Sequence, residues 1–122
     1  MKHDFWEYIQ IPVDSSEIEI DRPRGSYHPR FPNSPYPVDY GYLKQTITID
    51  AGGVDIFVGS LGKMEVVGIL CTVDLLKRDS ELKIVLDCKE EEIRAIIYYI
   101  NHDQMRAIYI PREIDSLYIE NK

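Results

Sequence analysis

The chain has 122 residues, 44% of them hydrophobic and 29% charged, with a formal net charge of −7 at pH 7. This length suits one domain with a single hydrophobic core over residues 1–122, and the acidic balance argues against nonspecific nucleic-acid binding, which needs a basic surface. No apolar run reaches the ~20 residues that span a bilayer, and MKHDFWEY at the start lacks the apolar core of a signal peptide. We therefore expect a cytoplasmic protein whose partners include neither nucleic acid nor membrane.

The first segment, HDFWEYIQ over residues 3–10, fits a short helix that directs Phe5, Trp6 and Ile9 toward the core and ends before Pro12. The following SEIEID, residues 16–21, alternates polar and apolar side chains as a half-buried strand does. Its carboxylates either line a cleft, where they could bind metal or arginine, or simply face water.

Residues 22–37, RPRGSYHPRFPNSPYP, contain five prolines, which exclude a regular helix and a central strand. A loop of this length is usually functional or disordered. Its arginines, Arg22, Arg24 and Arg30, suit phosphate because a planar guanidinium donates to two oxygens at once. Salt bridges to the preceding acidic strand are the alternative. We expect His28 to form hydrogen bonds within the loop rather than act as a base.

The rest of the chain predicts five more strands and one clear helix. We place the strands over residues 43–49, 54–60, 64–73, 82–87 and 105–110, and the helix over 89–101. Gly68 marks a bulge, and Cys71 and Cys88 are expected to be buried free thiols, since no Cys/His spacing supports zinc. The pattern predicts a mainly β fold with flanking helices, closed as a small mixed barrel. The tail, residues 113–122, suits cover for a sheet edge or a contact between copies, so a homo-oligomer stays open.

Carboxylates gather at two of the predicted turns. Asp50 and Asp55 flank a Gly-Gly connection, and Asp74, Asp79 and Glu81 lie around the turn after the next strand. Such groups at one barrel rim could bind Mg²⁺, which takes oxygen ligands and usually keeps several waters. Ions held there could bridge phosphate oxygens and lower the pKa of a bound water. Aspartates in turns are also often purely structural.

Four segments in order resemble the soluble family I inorganic pyrophosphatases. They are Glu19 within IEI, Arg30 followed by YPVDYGY at 36–42, DAGGVDI at 50–56, and GILCTVD from Gly68 with a downstream lysine at Lys83. The resemblance implies a five-stranded, OB-like barrel with helices outside it. It also implies Mg²⁺-dependent attack of a metal-bound water on pyrophosphate.

The resemblance assigns roles to the matching positions. It places phosphate contacts at Arg30, Tyr36, Tyr40 and Lys83. It places metal ligands at Asp50, Asp55 and Asp74, with Glu19 as a further active-site carboxylate that we include among the metal ligands. A fourth metal aspartate falls on Asp79 or Glu81, depending on where a two-residue insertion is placed, and we prefer Asp79.

The chain departs from the family pattern at three places. The middle aspartate and the proline of the aspartate-rich signature are Gly52 and Gly53. An upstream Lys-x-Glu segment has no clean counterpart, although Arg22, Arg24 or His28 could replace it. The C-terminal helix lacks a Tyr-Lys pair, for which Arg106 or Tyr99 could compensate.

The sequence leaves two functions and one purely structural role as hypotheses. One is Mg²⁺-dependent hydrolysis of pyrophosphate or a related phosphoanhydride, with Asp39, Asp55 or a metal-bound hydroxide as the base. Loss of a general base costs ~10²–10⁴ in rate, so Gly52 weakens such an enzyme without abolishing it. The alternative is a non-catalytic pyrophosphatase-like module that binds divalent metal or a phosphate compound; a purely structural relative comes third.

Overall fold

The computed structural model describes residues 5–48 and 52–112. Asp50 and the tail at 113–122, both of which carry predictions, lie outside the described residues. The elements in chain order are α1 (Phe5–Ser15), β1 (Ile18–Arg22), β2 (Tyr27–His28), β3 (Phe31–Pro35), β4 (Asp39–Leu43), β5 (Val54–Val58), β6 (Val66–Asp74), β7 (Asp79–Leu86), α2 (Glu90–Ile100) and β8 (Met105–Pro111). None of the helices in these ranges combines the length and the apolar character that a membrane span requires.

The strands form one large sheet and one small one. The large sheet has the order β1-β4-β5-β7-β6-β8, and β2 pairs with β3 separately. The β5–β7 pair is parallel, whereas the other neighbours in the large sheet run antiparallel. The predicted fold, mainly β with flanking helices, is confirmed.

The first helix is longer than predicted. It runs through Pro12 to Ser15. The proline removes one backbone hydrogen bond, but the full burial of Val13 just beyond it offsets this loss. Trp6 is buried as expected, but Phe5 is 49% exposed. The helix therefore packs through Trp6 and Val13, and the prediction that Phe5 faces the core was wrong.

The tyrosine-rich motif is itself a strand, which was not predicted. The observed strand β4 covers Asp39–Leu43, so it shares only Leu43 with the strand predicted over residues 43–49. Glycine is needed at position 41, because a Cβ there would collide with the carbonyl of Glu19 on β1. After β4 the chain turns, and the Thr46 hydroxyl accepts the Val54 N–H over 2.9 Å at the start of β5.

Each face of the large sheet carries its own hydrophobic cluster. Trp6 and Val13 of α1 pack with Leu43, Ile56, Ile69, Ile84 and Leu86. On the other face Ile96 and Ile100 of α2 pack with Tyr36, Val38, Phe57, Leu70 and Val85. Alternation along each strand assigns neighbouring residues to opposite clusters. The functional side chains project on the α2 face.

Several further predictions agree with the structure. The register between β6 and β7 shifts between Val66 and Gly68, as the expected bulge requires. Helix α2 begins after Lys89, whose N–H donates to the Glu92 carboxylate over 2.8 Å. Both cysteines are free thiols as predicted; Cys88 is buried, whereas Cys71 is only half-buried, contrary to the prediction.

Candidate active site

A cavity of about 200 Å³ opens on the α2 face of the sheet and is called the site cavity below. Its ionisable lining comes from six strands, from the turns after β2, β3 and β6, and from the end of α2 with the turn that follows it. These side chains are Asp21, Arg22, His28, Arg30, Tyr36, Tyr40, Asp55, Asp74, Lys77, Asp79, Glu81, Lys83, Tyr99 and His102. The site cavity therefore brings together eight of the predicted site residues: Arg22, Arg30, Tyr36, Tyr40, Asp55, Asp74, Asp79 and Lys83.

Strand alternation explains how β7 contributes to the site. Asp79, Glu81 and Lys83 stand two residues apart, so their side chains share one face of the strand. In the parallel pair, Ile56 of β5 lies opposite Ile84 of β7. That register places the residues before them, Asp55 and Lys83, side by side.

Lys83 contacts three other side chains of the cavity. Its Nζ donates to Tyr40 Oη and Asp55 Oδ2, each over 2.8 Å, and to Glu81 Oε1 over 3.0 Å. Burial by itself would lower the pKa of Lys83, but the Tyr40 and Asp55 oxygens outweigh it and hold the pKa above its ordinary value. The ammonium therefore stays charged between two carboxylates.

Asp74, at the end of β6, is held by the turn that follows it. Its Oδ1 accepts the N–H groups of Leu76 and Lys77 over 2.9 and 3.1 Å, and its Oδ2 lies 3.6 Å from Arg30 Nη2. Burial would raise the pKa of Asp74, but these N–H donors and the guanidinium together lower it. Asp74 is thus an ionised carboxylate with partners on both oxygens.

Three tyrosines form the wall next to α2. The Tyr36 ring stacks on Tyr40 with centroids 5.2 Å apart, and its other neighbour is Tyr99 at 4.9 Å. Burial raises the pKa of each hydroxyl above its ordinary value. All three hydroxyls therefore stay protonated and can donate hydrogen bonds. Tyr99 and Arg106 were the two predicted substitutes for the Tyr-Lys pair. Tyr99 lines the cavity, whereas Arg106 does not.

Arg22 reaches the cavity because β1 is irregular. The β1–β4 register shifts between Ile20 and Arg22, and past that shift Asp21 and Arg22 both line the cavity. A bulge re-aims side chains in this way. Arg22 Nη1 is buried and has no hydrogen-bond partner among the residues that the structure describes. A buried guanidinium donor without an acceptor is an observation that points to a missing anion.

His28 behaves as the loop residue that was predicted. Its Nδ1 accepts the Arg30 N–H over 3.0 Å across the β2–β3 turn. Burial, and then the charges of Arg22, Arg30 and Lys77, lower the pKa of His28. The ring is therefore neutral at pH 7, and it positions the turn that carries Arg30.

Three predicted site residues lie outside the site cavity. Asp39 uses its Oδ1 to accept the Arg24 N–H over 2.8 Å, which fixes the start of the loop, and the Arg24 side chain is exposed. Glu19 lies on the exposed face of β1 with its Oε1 3.9 Å from Lys44 Nζ. We therefore remove Asp39, Arg24 and Glu19 from the candidate site, because local backbone and surface contacts account for them.

The two glycines of the altered signature differ in their surroundings. Among the described residues, a Cβ on Gly52 would meet only Thr48 Oγ1, at 3.8 Å, whereas a Cβ on Gly53 would lie 2.5 Å from the Leu43 carbonyl oxygen and 2.7 Å from Tyr42 Cδ2. Both glycines line a groove beside the site cavity, and Asp55 lines both spaces. Position 52 can therefore accept a carboxylate, but position 53 cannot accept a side chain without movement of β4.

Sequence reasoning did not single out Lys77 and His102, left Asp21 open between a cleft and water, and named Glu81 only as the alternative to Asp79, not as the partner of Lys83. For Glu81 a signal existed, because a Glu-x-Lys spacing in a strand puts both side chains on one face. For Asp21 the bulge hides the signal. Lys77 and His102 follow the ends of β6 and α2, and single residues in such turns carry no pattern.

The carboxylates of the cavity have the oxygen chemistry that Mg²⁺ prefers, so we compared their contacts with that requirement. Asp55 is engaged by Lys83 and Tyr40, and Asp74 by Arg30 and two N–H groups. Within residues 5–48 and 52–112, no three His, Cys, Asp or Glu side chains are arranged to hold a metal ion. In this arrangement the described residues do not fit a preformed magnesium site.

The fold is that of the inorganic pyrophosphatases. Solved structures of inorganic pyrophosphatases from Neisseria gonorrhoeae and Helicobacter pylori superpose on it with TM-scores of 0.51 and 0.51, at 16% and 15% sequence identity. The alignments cover 87% of this chain in both cases, and 80% and 82% of those chains. At this identity the likeness concerns the fold alone.

The sequence also resembles curated inorganic pyrophosphatases. The protein from Geobacillus stearothermophilus is 34% identical and the one from Yersinia pestis 32% identical, over 73% and 67% of this chain. The chain spans 62% and 54% of the length of these relatives. No protein-family model matches the sequence. The resemblance to the family I inorganic pyrophosphatases is therefore shown in sequence and in fold.

Proposed function

We propose that the chain binds inorganic pyrophosphate, or a related phosphoanhydride, in the site cavity and hydrolyses it with the help of Mg²⁺. The observation that carries the proposal is the buried Arg22 Nη1, which has no hydrogen-bond partner in the described part of the chain and belongs to the cavity wall. An unsatisfied buried donor costs about 1–3 kcal/mol. A phosphate oxygen would supply the acceptor, and the names of the relatives supply the class of ligand.

Basic and phenolic groups would bind the phosphate groups of this ligand. Arg22 offers its unpartnered nitrogen, and Arg30 reaches the cavity from the β2–β3 turn. Tyr36 and Tyr40 remain protonated because burial raises the pKa of each. Tyr36 can donate to phosphate, and Tyr40 would first give up its hydrogen bond to Asp55. Lys83 would exchange one of its present contacts for a phosphate oxygen. These five side chains would fix the ligand against the α2 side of the sheet.

Mg²⁺ is proposed from the resemblance and from the oxygen-rich cavity. When bound, such an ion neutralises phosphate charge and lowers the pKa of water. The metal ligands we propose are Asp50, Asp55, Asp74 and Asp79, of which Asp50 lies outside the described residues. Because Asp55 and Asp74 are engaged by cations in the present arrangement, we derive no chemical step through the ion.

Asp55 is the carboxylate that we propose to serve the attacking water. It lines both the site cavity and the groove beside Gly52, and its side chain is 31% exposed, so solvent reaches it. Its Oδ2 already accepts the Tyr40 hydroxyl and the Lys83 ammonium. This oxygen therefore already has two donors, which compete with an attacking water for it.

A second candidate function is binding of the phosphate compound without turnover. The specific observation in its favour is Gly52, which places no carboxylate in a space that has room for one. The ion pair of Asp55 with Lys83 acts in the same direction. Under this proposal the cavity retains ligand affinity while hydrolysis is lost.

Phosphate release and ligand binding, measured side by side, distinguish the two candidates. We expect the chain to release phosphate from pyrophosphate at high protein concentration with Mg²⁺ and not with a chelator. Calorimetric binding of pyrophosphate without any turnover would reject the enzyme and leave the binding module. A chain that neither binds nor hydrolyses pyrophosphate would reject both.

A further inference from the structure

The α1 face of the large sheet extends past the area that α1 covers. Ile69 of β6 lies between Ile84 of β7 and Ile110 of β8, and all three pack in the cluster beneath α1. Two residues further along each strand, the side chains return to the same face and form the next row. This row consists of Leu82, Cys71 and Ile108.

The second row is exposed although its side chains are apolar. Ile108 is 63% exposed, and Val73, one row further along β6, is 49% exposed. We call Cys71, Val73, Leu82 and Ile108 the open patch, over which runs a groove of about 500 Å³. Contiguous apolar side chains on a sheet face are unfavourable in water and mark a surface that another segment covers.

The C-terminal residues of the chain start within reach of the open patch. The Arg112 N–H donates to the Val67 carbonyl oxygen over 2.9 Å, so the chain stays on the sheet up to this residue. Ile108 lies four residues back along β8, which is about 13 Å. The sequence continues as EIDSLYIENK over residues 113–122. Five to seven residues span up to about 16–25 Å, so residues 117–119 can return to Ile108 after a turn, for which Asp115 and Ser116 are suited.

The composition of this segment matches the open patch and its border. Leu117, Tyr118 and Ile119 are consecutive apolar residues, and Glu120 follows them. On the sheet, Arg106 lies opposite Val73 at the border of the open patch. Its Nη1 donates to two backbone carbonyls, and within residues 5–48 and 52–112 it has no carboxylate partner. The segment therefore offers apolar side chains to the open patch and a carboxylate to its cation.

We propose that residues 117–119 pack on the open patch of the same chain and cover Cys71. The segment would extend the hydrophobic cluster beneath α1 by one row of side chains. The open patch lies on the sheet face opposite the site cavity. The inference therefore does not depend on the proposed function, and ligand binding in the site cavity is not its measure.

Disulfide formation with Cys71 tests the contact in the full chain. We expect Ile119→Cys to pair with Cys71 at least about 10-fold faster than Lys122→Cys does, because both cysteines are tethered to the same chain and only the first lies in the docked segment. Cys88 does not interfere, since it is buried and burial raises the pKa of its thiol to about 12. Peptide mapping after mild oxidation gives the two rates. Equal rates would show a tethered but undocked segment and would overturn the proposal.

Thiol labelling tests the same contact without a new cysteine. Replacing both Leu117 and Ile119 with Ser should speed the reaction of Cys71 with a small maleimide at least about 5-fold, because the cover is lost. Ile114→Ser removes an aliphatic side chain from the connecting residues and should change the rate less than about 2-fold. Unchanged labelling of the double variant would overturn the proposal. Protection of Cys71 that grows with protein concentration, or disulfides between two chains, would overturn it in favour of a second copy on the open patch.

Discussion

The Tyr40 hydroxyl donates a hydrogen bond of 2.7 Å to Asp55 Oδ2, across the neighbouring strands β4 and β5. Burial raises the pKa of Tyr40 well above its ordinary value, so the hydroxyl keeps its proton and remains a donor. The Tyr40 oxygen also accepts a hydrogen bond from the Lys83 ammonium over 2.8 Å. Tyr40 therefore orients both members of the central ion pair.

Tyr40→Phe is expected to lower the free energy of unfolding by about 2 kcal/mol, because two hydrogen bonds to charged groups are lost. Phosphate affinity should fall as well, since Lys83 and Asp55 lose their common partner. Urea denaturation and calorimetry measure the two effects. The matched control is Tyr42→Phe, two residues along the same strand, whose hydroxyl makes no hydrogen bond within the described ranges. Equal effects of the two variants would mean that the Tyr40 contacts contribute nothing specific.

Arg22 and Arg24 form a natural pair for testing the ligand site. Arg22→Met removes a guanidinium whose Nη1 is buried in the cavity wall and should weaken pyrophosphate binding at least about 10-fold, the equivalent of one hydrogen bond between charged groups. Arg24→Met removes the same charge from an exposed position and should change the affinity less than about 2-fold. Titration calorimetry at fixed ionic strength gives both constants. A larger loss in Arg24→Met would place the ligand outside the site cavity.

The adjacent glycines predict opposite outcomes for neighbouring substitutions. Gly52→Asp should change the stability by less than about 0.5 kcal/mol, since within residues 5–48 and 52–112 its Cβ meets only Thr48, and it should raise any pyrophosphate hydrolysis. Gly53→Ala should destabilise by about 1–3 kcal/mol, because its Cβ would press against the Leu43 carbonyl and the Tyr42 ring. Thermal unfolding distinguishes the two. No gain of hydrolysis in a folded Gly52→Asp would show that the remaining geometry does not support turnover.

Asp74 is expected to contribute to acid sensitivity. Its pKa is lowered in the folded chain, so its contribution to stability is fully present above the unfolded value of about 4 and is lost as the pH falls through the folded pKa. Asp74→Asn should therefore be less stable than wild type at pH 7, and the difference should shrink below about pH 4. Unfolding measured from pH 7 to pH 2.5 tests this. A difference independent of pH would assign the loss to packing rather than to the charge.

Some elements of the fold could be read directly from the sequence. Helix α2 was predicted because isoleucines recur at helical spacing behind an acidic first turn. The sequence predicted strand β4 several residues too late, because LKQTITI alternates as a strand does. The observed strand lies in the tyrosine motif. The position of β4 is decided by its pairing with β1 at Gly41, and this contact joins residues that are distant in the sequence.

The site was predictable in its residue types and less so in its contacts. The pyrophosphatase-like motifs identified Tyr40, Asp55 and Lys83, and the structure brings all three together. The partnership of Asp55 with Lys83 depends on a parallel pairing of distant strands, which local patterns do not encode. The placement of Arg22 depends on a bulge. Asp39 lies outside the lining of the site cavity and accepts the Arg24 N–H, a contact that leaves no mark in the sequence.

The parallel register of β5 and β7 has a consequence for folding fidelity. Ile56 opposite Ile84 and Val58 opposite Leu86 seal the cluster beneath α1, and the same register sets Lys83 beside Asp55. A slip of one residue in β7 would turn every side chain to the other face. It would move the ammonium into the apolar cluster and an aliphatic side chain into the cavity. The ion pair thus discriminates against misaligned sheets, so the side chains proposed for ligand binding also help the chain to select its native strand pairing.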